Sequence, residues 1–230
     1  ISGNNSAGVL LDSDANTVAG NLIGVAINGT SPLPNLGHGI DVRSNNNFIG
    51  SDGNGVGDTK EGNIISANAM SGVSVLGGSG NTVAGNRIGT DVSGTFNLGN
   101  LSHGIEIVDS VNTTIGGAIA NTIAFNAFSG IAITETTADA SFNNSIRGNS
   151  IYKNAGLGID LNADGISSND TGDADAGPNA LQNYPVISSA TAAANTVVVG
   201  DLSDFAPGVY EFDFYANPTG DVQGKRYLGS

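Results

Sequence analysis

The sequence predicts an all-β chain: a right-handed parallel β-helix, or solenoid, of about six coils over residues 1–183, followed by a short C-terminal antiparallel β module over residues 184–230. Three observations carry this expectation. The hexapeptide NTVAGN stands at residues 16–21 and returns unchanged at residues 81–86. A Gly-apolar-x-apolar segment recurs six times, 26 to 33 residues apart. Gly contributes 35 of 230 residues, about twice its usual ~7% share, and with Asn it interrupts the chain every few positions.

Taken in order, the recurring segments are Gly8-Val9-Leu10-Leu11, Gly39-Ile40-Asp41-Val42, Gly72-Val73-Ser74-Val75, Gly104-Ile105-Glu106-Ile107, Gly130-Ile131-Ala132-Ile133 and Gly158-Ile159-Asp160-Leu161. Each alternates apolar and other residues over only a few positions, which is strand period rather than helix period. Frequent Gly and Asn would destabilise helices, so none is expected through residue 165. A short strand repeated at coil length cannot bury its apolar side chains alone; stacked coils share one core. Val and Ile then point inward and the residue between them points out. Asn16, Asn47, Asn81, Asn112 and Asn144 fall between the strands, and the recurrent Asn are expected to stack as ladders at corners, bonding side-chain amides and backbone of adjacent coils.

The two long copies also match at Leu22-Ile23-Gly24 with Arg87-Ile88-Gly89, and at His38-Gly39-Ile40-Asp41 with His103-Gly104-Ile105-Glu106. They then fall out of step because of extra residues in the loop at 51–62. From Tyr184 the Asn/Gly signature stops. Strands are expected at residues 185–190, 196–202, 210–215 and 226–228, with turns at Pro207-Gly208 and Pro218-Thr219-Gly220. Ile1 enters in mid-coil, ISGNN matching ISANA at residues 65–69, and both ends are expected to be unfinished. Two expectations stay open: a piece of a longer chain, or ends covered by other copies stacked end to end.

Composition excludes several functions. With 7 Lys+Arg against 21 Asp+Glu the net charge is −14, so the phosphate contacts of a nucleic-acid binder are missing. No apolar run is long enough for membrane insertion. Without Cys there is neither a disulfide framework nor a thiolate metal site.

The phrases NTVAGNRIGTDVSGTFNLGNLSHGIEI, ISANAMSGVSV and GLGIDLNADGISSNDTGDADAGPNALQNYPVI resemble the right-handed parallel β-helix repeat proteins of bacterial secreted and cell-surface polypeptides, in the pectin-lyase-like superfamily. The resemblance covers roughly residues 1–185. It implies an extracellular or bacterial cell-surface location, and polysaccharide as the partner that is bound, hydrolysed or lysed. Handedness follows from the resemblance and from the right-handed bias of parallel crossovers.

Two acidic loops are candidate Ca²⁺ sites, because hard cations take six to eight oxygens from flexible, Gly-rich turns. The first, SDGNGVGDTKEG, offers Asp52, Asn54, Asp58 and Glu61, with the Val56 carbonyl between them. In the second, Asp160-x-Asn162-x-Asp164-Gly165 matches the first half of an EF-hand-type loop, but the glutamate of the twelfth position is replaced by Thr171. Asp170, Asp173 and Asp175 follow. Asx turns use the same residues without any ion.

The catalytic alternative rests on the outward column Leu10, Asp41, Ser74, Glu106, Ala132, Asp160. Acids two coils apart lie roughly 9.5 Å from each other, the upper edge of the ~6.5–9.5 Å separation of an inverting glycosidase pair. Asp41 and Glu106 are the candidate pair. A lyase would need an Arg or Lys base, and Arg43, Arg87 and Arg147 stand isolated in the sequence. His38 and His103 share one repeat register, which suits a corner residue better than a metal ligand or base. The chief expectation is a structural, adhesive or filament-forming segment stabilised by Ca²⁺ and interacting with carbohydrate. A polysaccharide hydrolase or lyase is the alternative.

Overall fold

The computed structural model describes residues 1–191, 196–205 and 208–230. Residues 1–161 wind into a parallel β-solenoid of about five turns, built from three sheets. The first sheet stacks six strands in chain order: Val9–Leu11, Ile40–Val42, Val73–Leu76, Ile105–Val108, Ile131–Thr134 and Ile159–Leu161. The second stacks Thr17–Val18, Phe48–Gly50, Thr82–Ala84, Thr114–Gly116 and Ser145–Arg147. The third stacks Leu22–Ile23, Ile64–Ile65, Arg87–Ile88, Thr122–Ala124 and Ser150–Tyr152. The six expected coils are thus six rungs on one face and five on the other two.

Each recurring Gly opens a strand because the next coil lies against it. A Cβ built on Gly104 would stand 2.6 Å from the Gly130 carbonyl oxygen and 2.5 Å from Ile123 Cγ2, and Gly39, Gly72 and Gly130 meet the same contacts. The apolar residues that follow fill the interior. Ile40, Val42, Val73, Val75, Ile105, Ile107, Ile131 and Ile133 of the first sheet are fully buried, packed against Ile49, Val83 and Ile115 of the second and Ile65, Ile88 and Ile123 of the third.

Asparagine ladders run up three corners. In the first, the backbone N–H of each residue donates to the side-chain carbonyl of the next, from Asn4 through Asn35, Asn68, Asn100 and Asn126 to Asn154, except that the Asn35–Asn68 link is made by the Asn35 amide. In the second, Asn21, Asn63, Asn86, Asn121 and Asn149 are linked in the same way. The corner expected from sequence holds Asn16, Asn47, Asn81 and Asn144, but Thr113, not Asn112, takes the intervening rung. Asn112 turns out of line with a positive φ of 54° and bonds Ser79 and Asn143 instead.

The last coil is covered by the chain itself. Gln223 stands where a seventh ladder residue would: its Oε1 accepts from Asn154 N at 2.9 Å and Nδ2 at 3.1 Å. Asn179 does the same for Asn144, accepting from its N at 3.0 Å. Ile151 N–H donates to the Gly224 carbonyl, as it would to another coil. Arg147 then clamps the segment through Asp213 and, at 2.5 Å, Glu211.

Several local expectations are corrected. A four-residue helix, Asp58–Glu61, sits in the loop where none was expected. The C-terminal strands expected at residues 185–190, 196–202 and 226–228 do form, Val186–Thr191 pairing with Val197–Asp201 and Arg226–Gly229 with Phe214–Ala216, both antiparallel. Residues 210–213 are not strand, because Asp213 turns to Arg147 and the Tyr210 and Phe212 rings pack against Phe205. The turn expected at Pro207-Gly208 falls partly outside the described residues.

Candidate functional site: the outer face of the first sheet

The outward column assembles in the expected order: Leu10 pairs with Asp41, then Ser74, Glu106, Ala132 and Asp160, rung on rung. Its environment differs from expectation. Ser74 and Ala132 are buried, and Asp41 and Asp160 are only 6% and 7% exposed, so this is no solvated row of acids. The residues before four of the opening glycines are His38, Ser71, His103 and Ser129, and of these Ser71 and Ser129 bond acids of the column.

Each acid is already bonded within the protein. Asp41 accepts from Arg43 Nε at 3.1 Å and Nη2 at 2.7 Å, which raises the Arg43 pKa above its ordinary value. Glu106 Oε2 accepts from the Ser71 hydroxyl at 3.0 Å. Asp160 accepts from the Ser129 hydroxyl at 2.9 Å and from Gly165 N–H at 3.2 Å. Arg43 and Arg147, isolated in sequence, are therefore ion-paired in the fold.

His103 lies where Glu106 and Asp160 both act on it. Burial lowers its pKa more than these two carboxylates raise it, so the imidazole is held neutral below its ordinary range. The Nδ1 atoms of His38 and His103 are buried with no hydrogen-bond partner. Beside this polar column runs an exposed apolar ridge, which the sequence reading missed: Leu36 (60% exposed), Met70 (45%), Leu101 (64%) and Phe128 (54%). The Phe128 ring centre is 5.5 Å from that of His103. Its signal was present in the sequence, as an apolar residue two or three positions before the opening Gly in four successive coils.

The acidic loops separate into clustered and dispersed residues. Carboxylate oxygens of Asp52, Asp58 and Glu61 lie within 4.8 Å of one another, as do those of Asp170, Asp173 and Asp175. Asp160 and Asp164 fall outside these groups. Asn54 donates to Asp52 at 2.9 Å while its oxygen accepts from Val56 N–H, and Asn162 donates to Asp164 at 2.9 Å. In the first group the carboxylates accept from Ser51 and from backbone N–H groups of residues 52, 54 and 55. In the second, Asp175 Oδ1 is buried without a partner, the better fit to a hard cation.

Comparison with protein-family models, curated proteins and solved structures finds no match to this chain. The class rests on the fold: the protein is a parallel β-solenoid. Among the described residues no helix is long and apolar enough to cross a membrane.

Proposed function

We propose that the chain is a structural, adhesive solenoid segment of an extracellular or bacterial cell-surface protein, within the pectin-lyase-like superfamily its repeats resemble. Carbohydrate is its ligand class and Ca²⁺ its stabilising ion. One observation carries the choice of scaffold over enzyme: every carboxylate of the outward column is tied to a neighbour, Asp41 to Arg43, Glu106 to Ser71, Asp160 to Ser129. A general acid must aim its proton at the leaving group, and a base must reach a water. The ridge of Leu36, Met70, Leu101 and Phe128 supports the ligand class, since the apolar face of a sugar packs on such side chains while its hydroxyls reach polar neighbours. A second copy stacked beyond Asn154 would have to displace Gln223 and Asn179, which favours a glycan as partner. The test is a polysaccharide panel scored for retention and for release of reducing ends or unsaturated uronates. Retention without turnover, unchanged by Glu106→Ala, is expected. Turnover abolished by Glu106→Ala or Asp41→Asn would establish the enzyme instead, and no retention on any glycan would reject the ligand class.

For Ca²⁺, the group Asp170, Asp173 and Asp175 is the stronger candidate. A ligand at one hundred times its dissociation constant stabilises the folded state by about 2.7 kcal/mol. The melting temperature is expected to rise with Ca²⁺, to fall back with chelator, and to lose the response in Asp173→Asn. An unchanged melt would reject the ion.

A further inference from the structure

The chain has only seven Lys and Arg, yet three of them line one concavity. Arg87, Lys225 and Arg226 meet at a pocket of about 550 Å³ between the third sheet and the C-terminal strands, together with Thr122, Ser150 and Tyr152. Arg87, Thr122 and Ser150 hold the same outward position on three successive rungs, so they form a floor with a ~4.8 Å repeat. Lys225 and Arg226 stand on the opposite wall, which the Ser150 hydroxyl joins to the floor by donating to the Lys225 carbonyl at 2.6 Å. The Lys225 ammonium lies 4.6 Å from the centre of the Tyr152 ring. That ring is buried and fixed, its hydroxyl donating to the Gly94 carbonyl at 2.7 Å.

Among the described residues the ion-paired cations are Arg43 and Arg147; none of the three in this pocket is paired with a carboxylate. The acids that bear on Tyr152 are Asp221 and Asp91. Asp91 is buried and turned toward the Ser93 hydroxyl and the Thr95 and Phe96 N–H groups, and Asp221 accepts from Gln223 N–H. Neither lines the pocket. Three of the seven cations of a chain of net charge −14 thus line one concavity, and no carboxylate is among its lining residues.

The geometry points to a binding site for a tetrahedral oxyanion, a phosphate or sulfate group, on this face. Cations approach from two walls, and a tetrahedral group offers oxygens in both directions where a carboxylate offers one planar edge. Guanidinium forks suit such oxygens, and Lys225 adds a point charge. The site lies on a different sheet from the carbohydrate-facing ridge and stands without it.

Calorimetric titration tests it with inorganic phosphate, inorganic sulfate, glucose 6-phosphate and glucose 6-sulfate, all at one ionic strength set with NaCl so that general screening is constant. Saturable binding at one site per chain is expected, weakened about tenfold by Arg87→Gln and by Arg226→Gln. Both side chains are exposed, so the thermal melts of the variants should match the parent. Tighter binding of the esters would assign the anion to a modified sugar; equal or tighter binding of the inorganic ions would assign it to free anion. No saturable heat with any of the four, or binding that both variants leave unchanged, overturns the site.

Discussion

A ladder asparagine satisfies several buried groups at once. Asn100 Oδ1 accepts from Asn68 N at 3.1 Å and Nδ2 at 2.9 Å, while its own amide donates to the Ile65 carbonyl at 3.1 Å and to Asn126 Oδ1 at 2.9 Å. Replacing it leaves buried donors and acceptors without partners, each worth about 1–3 kcal/mol. Asn100→Ala is therefore expected to lower the unfolding free energy by at least about 2 kcal/mol in urea melts; a loss within error would contradict the ladder's role. His103 makes a second residue-scale prediction. Its folded pKa lies below its ordinary 6.5 because of burial, so the unfolded chain binds more protons at acid pH. Stability is then complete above pH 6.5 and falls as pH drops toward the folded pKa, and His103→Asn should flatten that slope. An unchanged pH profile in the variant would contradict it. The sequence showed which way Asp41 and Asp160 point but not that they are buried, because strand alternation says nothing of the corner residues that border the column. The repeat offset likewise nominated Asn112, whereas the corner is shifted by one residue and places Thr113 on the rung.

At the scale of elements, the opening glycines explain why the coil signature was readable. The backbone of the next coil leaves no room for a side chain, so the requirement is written at every turn as Gly-apolar-x-apolar. Gly104→Ala pushes a Cβ to 2.6 Å from a carbonyl that cannot swing away, and a lower melting temperature with retained strand content is expected from circular dichroism. An unchanged melt would mean that the coils are not so closely stacked. The C-terminal segment was less legible. Clean alternation at residues 210–215 read as a strand, but only Phe214–Ala216 pairs, because the clamp to Arg147 takes Asp213. That clamp holds the Asp213 carboxyl below its usual range, with the Arg147 hydrogen bond as the largest cause. Arg147→Ala is expected to speed proteolysis within residues 184–230 while the coils stay resistant; equal cleavage throughout would show that the segment is no cap. Gln223 was not foreseen as a ladder residue, since nothing near it repeats and its partner lies 69 residues away.

For the whole molecule, stability is expected to be near the sum of coil and coil–coil terms, as in other quasi-one-dimensional folds. An acidic surface of net charge −14 surrounds that core. Of its seven cations Arg43 and Arg147 are ion-paired, Arg87, Lys225 and Arg226 line one pocket, Lys60 stands in the short loop helix and Lys153 lies over the Phe125 ring. All site assignments depend on the stacking register of the three sheets. Spin labels test it directly, because the chain has no native Cys to interfere with labelling. With one label at Thr17 and a second placed in turn at Phe48, Thr82, Thr114 and Ser145, the four partners lie on successive rungs of the second sheet. The separation should grow by about 4.8 Å with each step. Distances that fail to rise in that order would contradict the stacked solenoid, and with it every surface assigned from its register.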